Sequence, residues 1–311
     1  MNFHHISVLL QESVDMLKVN PSGIYVDGTL GGGGHSSLIC ESLNESGRLI
    51  GIDRDTVAHM AAQKRLEAYN CEKIFCHRNF FEIRSILDEL NVPEIDGAIL
   101  DLGVSSPQLD CAERGFSYHN EARLDMRMNQ EAELDAHYVV NNYSEERLAD
   151  IIFKYGEERY SRRIAKVIVR ERENAPIETT TELKEIIKGA FPVSERYGDK
   201  HPAKRTFQAI RIEVNGELDG LDLAIRDFAD ALKTGGRLAI ITFHSLEDRI
   251  VKNTFADLAK GCTCPKDFPV CVCGNKPKVR IINKKPIVAG KTELDNNNRA
   301  HSAKLRVIEK I

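Results

Sequence analysis

The chain has 311 residues, 42% hydrophobic and 29% charged, with a net charge of −4. That length suits about two domains with a full hydrophobic core, and the composition excludes collagen-like, coiled-coil and disordered classes. No run of about 18 apolar residues marks a membrane span. The opening Met1-Asn2-Phe3-His4-His5 lacks a basic region followed by an apolar stretch, which predicts no signal peptide. Eight unevenly placed cysteines point to a reducing, cytoplasmic home.

In chain order, short apolar runs at Ile24-Tyr25-Val26, Arg48 to Ile52 and Gly97 to Leu100 read as strands. They are closed by Asp27-Gly28, Asp53 and Asp101. Ser36 to Leu43, Thr56 to Ala68 and Phe81 to Leu90 read as helices. This alternation predicts an α/β fold, a doubly wound parallel sheet that binds ligands at the strands' carboxyl ends. From about Asp110 to Lys204 helical periodicity replaces strand signals, as in Ser144 to Phe153, Tyr160 to Arg172 and Thr181 to Ala190. A helix over Gly220 to Leu232, a Gly235-Gly236 stop, and strands at Arg237 to Phe243, Val279 to Ile282 and Leu305 to Ile308 complete the pattern. The predicted domains are 1–109 and 205–311 for the α/β part, with a helical insertion over 110–204. Residues 276–311 carry ten Lys and Arg against three Asp and Glu, a balance of +7 that leaves −11 for the rest. A basic end on an acidic body points to nucleic acid, or equally to a solvated terminal strand region.

The strongest motif is Asp27-Gly28-Thr29-Leu30-Gly31-Gly32-Gly33-Gly34-His35, between a strand and a helix. Glycines there let the backbone lie against a ligand, and the helix start offers free N–H groups. Asp53, at the next strand end, is placed to accept both hydroxyls of a ribose. The dinucleotide fingerprint G-x-G-x-x-G fails, because Ser36 or Ser37 stands where its third glycine belongs. Asp27 would repel a pyrophosphate but suits a sulfonium and an ammonium. The loop therefore favours S-adenosylmethionine over a nicotinamide cofactor. Asp101 opens Asp101-Leu102-Gly103-Val104-Ser105-Ser106-Pro107-Gln108, the place where amino-group methyltransferases carry an acidic or amide residue followed by prolines and an aromatic; Asp101 matches in place, but the prolines and the aromatic do not follow. Phe80 or Phe81 can cover an adenine, and the residues alone do not choose between them.

These motifs, with His4 to Leu10, Asp101 to Leu109, Arg114 to Tyr118, Leu124 to Met128, His201 to Arg205, Thr242 to Arg249 and Asn298 to Arg306, resemble the RsmH (MraW) family of bacterial 16S rRNA cytosine-N4 methyltransferases. The resemblance spans nearly the whole chain. It implies a Rossmann-like methyltransferase domain with an inserted all-helical domain for substrate and RNA recognition. It also implies methylation of N4 of a cytidine in the decoding region of small-subunit RNA. By position, the implied cofactor contacts are Gly33, Gly34, His35, Asp53, Phe80, Asp101 and Gln108; the resemblance selects Phe80 over Phe81. The rival readings are a non-catalytic RNA-binding assembly factor and a nicotinamide-dependent dehydrogenase.

Cytosine N4 is a poor nucleophile, so the chemistry calls for positioning and an aimed acceptor rather than a covalent intermediate. Asp101 is the candidate catalytic acceptor, alongside backbone carbonyls of 103–106. Its other and favoured role, holding the methionine ammonium, is compatible with the first. No Pro-Cys dipeptide occurs, which argues against attack at cytosine C5. His244 and Ser245 end a strand near the site; they are placed to touch the base, or to cap a helix through Ser245 with Asp248. Cys262, Cys264, Cys271 and Cys273 form a C-x-C pair of pairs that reads either as a zinc site or as reduced thiols on a loop. No metal is assigned to catalysis. Arg159, Arg163, Lys166 and Arg170 recur along one helix stripe opposite Tyr160, Ile164, Val167 and Ile168; the stripe suits a phosphate backbone or a solvated face.

Overall fold

The computed structural model describes residues 7–196, 201–262, 264, 270 and 272–311. Its strands are β1 (Ile24–Asp27), β2 (Arg48–Asp53), β3 (Glu72–His77), β4 (Ile95–Asp101), β5 (Leu232–Thr242), β6 (Val279–Ile281) and β7 (Lys304–Lys310). They form one sheet in the order β3-β2-β1-β4-β5-β7-β6. β1 to β5 are parallel, and β7 runs antiparallel to both β5 and β6. Tyr25, Val26, Leu49, Ile50, Ile99, Leu100 and Leu238 to Ile241 are buried, the near-continuous apolar strands of a sheet covered on both faces.

On one face α1 (Leu10–Leu17), α2 (Gly34–Ser42) and α3 (Thr56–Leu66) bury Val14, Leu17, Ile39, Ala62 and Leu66 against Tyr25, Leu49, Ile99 and Ile241. α4 (Ile83–Glu89), α11 (Leu221–Ala231) and α12 (Ser245–Leu258) pack together with α11 between the other two. α13 (Lys291–Asn296) precedes β7. The chain is thus α/β with a doubly wound, Rossmann-like sheet. No described helix is long and apolar enough to cross a membrane.

Two compact units divide the chain: Met1–Gly103 with Gly220–Ile311, and Val104–Asp219. The second holds α5 (Ser106–Asp110), α6 (Ala136–Asn142), α7 (Glu145–Gly156), α8 (Ser161–Arg172), α9 (Thr180–Ala190) and α10 (Ala203–Asn215), around Leu148, Ile152, Ile164, Ile168, Leu183, Phe207 and Ile210. This unit is wider than the 110–204 span read from the sequence. α10 joins it because a Cβ on Gly156 would lie 2.8 Å from the Arg205 carbonyl oxygen. Asn215 also accepts from Met128 N at 2.8 Å and donates to Met126 O at 2.8 Å. Arg114 reinforces the same loop, donating to Arg127 O and Met128 O at 2.9 and 3.0 Å.

β3 has no strand signal because it is an edge strand with no buried residue. Gly235-Gly236 does not stop an element: β5 runs through it. Ile95 pairs with Leu232 and Gly97 with Arg237, so residues 233–236 bulge out against Asp96 alone, and Gly235 takes a φ of 86°. The +7 segment is built into the sheet as β6 and β7. Ion pairs tie Lys278 and Lys310 to Asp230, Arg280 to Glu309, and Lys304 and Arg306 to Asp248.

Candidate active site

The parallel register sets Asp27 beside Gly51 and Ile99, which brings the carboxyl ends of β1, β2 and β4 to one edge. The glycine loop is laced across that edge. Gly28 N donates to Ile99 O and Leu30 N to Ile52 O, both at 3.0 Å. Gly31 N donates to Asp53 Oδ2 at 2.8 Å, and Asp101 N donates to Thr29 Oγ1 at 2.6 Å. Gly31 and Gly33 hold φ values of 48° and 74°, a region that favours glycine. Gly33 is the N-cap of α2 and supplies no side-chain cap. Gly34 and His35 open that helix.

Asp27 is 1% exposed. Ser36 Oγ donates to its Oδ2 at 2.7 Å and Thr29 N to its Oδ1 at 3.2 Å. Burial pushes its carboxyl up to about 6; hydrogen bonds from the Ser36 side chain and from Thr29 and Ser36 backbone N–H groups pull back, and the Asp53 charge adds. Ser36 thus occupies the third-glycine position of the dinucleotide fingerprint with a structural task. Asp53 accepts from Gly31 N and, through Oδ1, from Asp55 N at 2.9 Å. Burial raises its pKa against these bonds. The two donors fix the carboxylate plane and leave each oxygen a second lone pair.

Asp101 differs. Its Oδ1 is buried and has no hydrogen-bond partner, while its Oδ2 lies 3.9 Å from His35 Nδ1. Burial raises its pKa well above the carboxylate range, and the charges of Asp27 and Glu247 push the same way. A buried carboxylate facing like charges is costly unless a cation joins it. An ammonium fits this position, as a positively charged cofactor would require. His35 is buried and its Nε2 lies 3.1 Å from Val8 O. Phe80 starts a 3-10 turn capped by Asn79 and Glu82. It borders the loop, where a Cβ on Gly28 would come within 3.2 Å of its own Cβ. Its ring meets Phe81 edge to face at 4.6 Å. Gln108 lies on α5 in the second unit, buried, and accepts from Ser105 N at 3.0 Å.

The sequence assigns Thr29, Ser36 and Glu247 no role at the site. Thr29 lies within the glycine motif and Ser36 just past it, but their partners come from the fold. The helix cap is also reassigned. His244, not Ser245, is the N-cap of α12, and Glu247, not Asp248, completes the box, accepting from His244 N at 3.3 Å and also from Phe243 N at 2.8 Å. Counting from His244 makes Glu247 the third helical residue. Asp248 instead binds Arg306 at 2.7 Å. The basic stripe shortens as well. α8 begins at Ser161, so Arg159 precedes it and pairs with Glu195 at 2.5 Å, while Arg170 pairs with Glu171. Arg163 and Lys166 remain exposed. Of the cysteine pairs, Cys271 lies outside the described residues, as do His4, His5 and Ile6 of the first motif.

A family model described as the MraW methylase family matches residues 2–311. The chain is 58% identical over 312 residues to "Ribosomal RNA small subunit methyltransferase H" of Clostridium botulinum (strain 657 / Type Ba4), covering 100% of both chains. It is 53% identical over 311 residues to the protein of the same name from Brevibacillus brevis, covering 100% of this chain and 99% of that one. Among solved structures, an rRNA methylase from Streptococcus thermophilus matches over 99% of each chain at 12% identity and a TM-score of 0.42.

Proposed function

Because the chain belongs to the MraW methylase family, we propose that it methylates N4 of a cytidine in the decoding region of 16S rRNA, in the cytoplasm, with S-adenosylmethionine as donor. The observation that carries this reading is Asp101 Oδ1, a buried carboxylate oxygen without a partner at the loop edge. Relatives whose whole length this chain covers are named for small-subunit rRNA methylation.

Bound S-adenosylmethionine supplies a methyl group on a positively charged sulfonium. Asp101 takes its ammonium through Oδ1, which relieves the repulsion from Asp27 and Glu247. Asp53 accepts the ribose hydroxyls with the lone pairs that Gly31 N and Asp55 N leave. Gly33, Gly34 and His35 present the start of α2, and Phe80 covers the adenine. Gln108 is assigned on the family resemblance. For the target base, the protein orients N4 and accepts a hydrogen bond as that nitrogen becomes tetrahedral. Asp101 or a backbone carbonyl of 103–106 serves as that acceptor. Orientation and an aimed acceptor each lower the barrier by several kcal/mol, and no nucleophilic cysteine is used. The helical unit carries RNA recognition, with Arg163 and Lys166 as phosphate contacts.

The test is mass spectrometry of 16S rRNA nucleosides from a strain lacking the protein. N4-methylated cytidine should fall, return with the wild-type gene and stay low with Asp101→Ala. An unchanged level in the deletion strain overturns the reading.

A further inference from the structure

The loop between α12 and β6 carries four of the eight cysteines, and the methylation chemistry uses none of them. Three are described: Cys262, Cys264 and Cys273. Their Sγ atoms lie within 4.8 Å of one another, with Cys262 and Cys273 at 3.7 Å. Backbone N–H groups are aimed at two of the sulfurs. Val272 N donates to Cys264 Sγ at 3.3 Å, and Asn275 N to Cys273 Sγ at 3.4 Å. Donors of this kind orient a ligating sulfur, the task of outer-sphere groups at metal sites. Asn275 also closes the loop's neck, its Nδ2 donating to Lys260 O and Gly261 O at 3.1 and 2.7 Å. Among the described residues of this loop, Val270 and Val272 are 69% and 74% exposed.

We propose that Cys262, Cys264 and Cys273 bind a zinc ion as thiolates, and that the metal staples this loop. Zinc takes thiolate sulfur in tetrahedral coordination. Each thiol releases its proton to solvent as the metal binds. The site is structural rather than catalytic. β7 opposes both β5 and β6, so β6 runs parallel to β1–β5. The loop therefore feeds into β6 at the amino ends of the parallel strands, away from the carboxyl edge that holds Asp27, Asp53 and Asp101.

The experiment is metal analysis of the full-length protein purified under reducing, chelator-free conditions. The expected result is about one zinc ion per chain, lost in Cys262→Ser/Cys273→Ser and kept in Cys111→Ser, which removes an exposed thiol elsewhere. Cobalt in place of zinc should give thiolate-to-metal charge-transfer absorption in the wild type and none in the double variant. Stripping the metal from wild type should speed proteolysis within the loop and leave S-adenosylmethionine affinity unchanged. The wild-type measurements do not depend on how the variant folds. A wild type that takes up no added zinc overturns the proposal. So does a double variant that retains it, or a Cys262–Cys273 disulfide in the protein purified under reducing conditions.

Discussion

Asp27→Asn separates the cost of a buried charge from the hydrogen bonds around it. Burial raises this carboxyl from 3.8 to about 6. A folded-state pKa above the unfolded value means that the fold favours the protonated acid. Its contribution is fully present below about pH 4 and is lost as pH rises through about 6. A shift of about two units at 1.36 kcal/mol each sets that loss at about 3 kcal/mol. Asparagine is neutral throughout. Its carbonyl can keep the Thr29 N–H, and its Nδ2 can donate to the rotating Ser36 hydroxyl. The variant should match wild type near pH 4 and exceed it by about 3 kcal/mol at pH 8, a rise in Tm of roughly 6 °C for a chain of this size. Denaturant unfolding over a pH series, read in parallel with thermal melts, measures the difference. A gap that does not change with pH, or a variant less stable than wild type at pH 8, refutes the reasoning.

Asp53→Ala removes the acceptor for Gly31 N and Asp55 N as well as the proposed ribose contact. It should weaken S-adenosylmethionine binding by ~1.5–3 kcal/mol, roughly tenfold or more; calorimetry showing equal affinity would sink the assignment. Asp101→Asn relieves charge crowding, so the unliganded protein should become more stable at pH 8 while cofactor affinity and methyl transfer both fall. In wild type, affinity should weaken as pH is lowered, because the raised pKa of Asp101 protonates the group that meets the ammonium; a flat affinity profile contradicts that role. Replacing Arg163 and Lys166 with Gln should spare stability and reduce the salt slope of RNA binding by about two for a duplex, less for single strands. Parallel salt lines of equal affinity in filter binding would remove these residues from the RNA contact.

The carboxyl-edge motif was legible in the sequence because its determinants are local. An apolar run closed by an acid, then a glycine loop, then a helix states where a parallel sheet turns and what it can hold. The helical character of the inserted unit was legible for the same reason, since Ser144 and Thr179 are N-caps of helices with clear periodicity. β3 was not legible: an edge strand buries too little to pattern its residues. The +7 segment could be read as a free tail or a strand until its charges met Asp230, Asp248 and Glu309, partners between 29 and 80 residues away in sequence. Thr29 stands in the motif and Ser36 just past it, but only the folded sheet turns one toward Asp101 N and the other toward Asp27. The acids themselves are plain in the sequence. Their raised pKa values, and the single oxygen of Asp101 left without a donor, arise only when folding removes water from strand ends that the sheet has brought together.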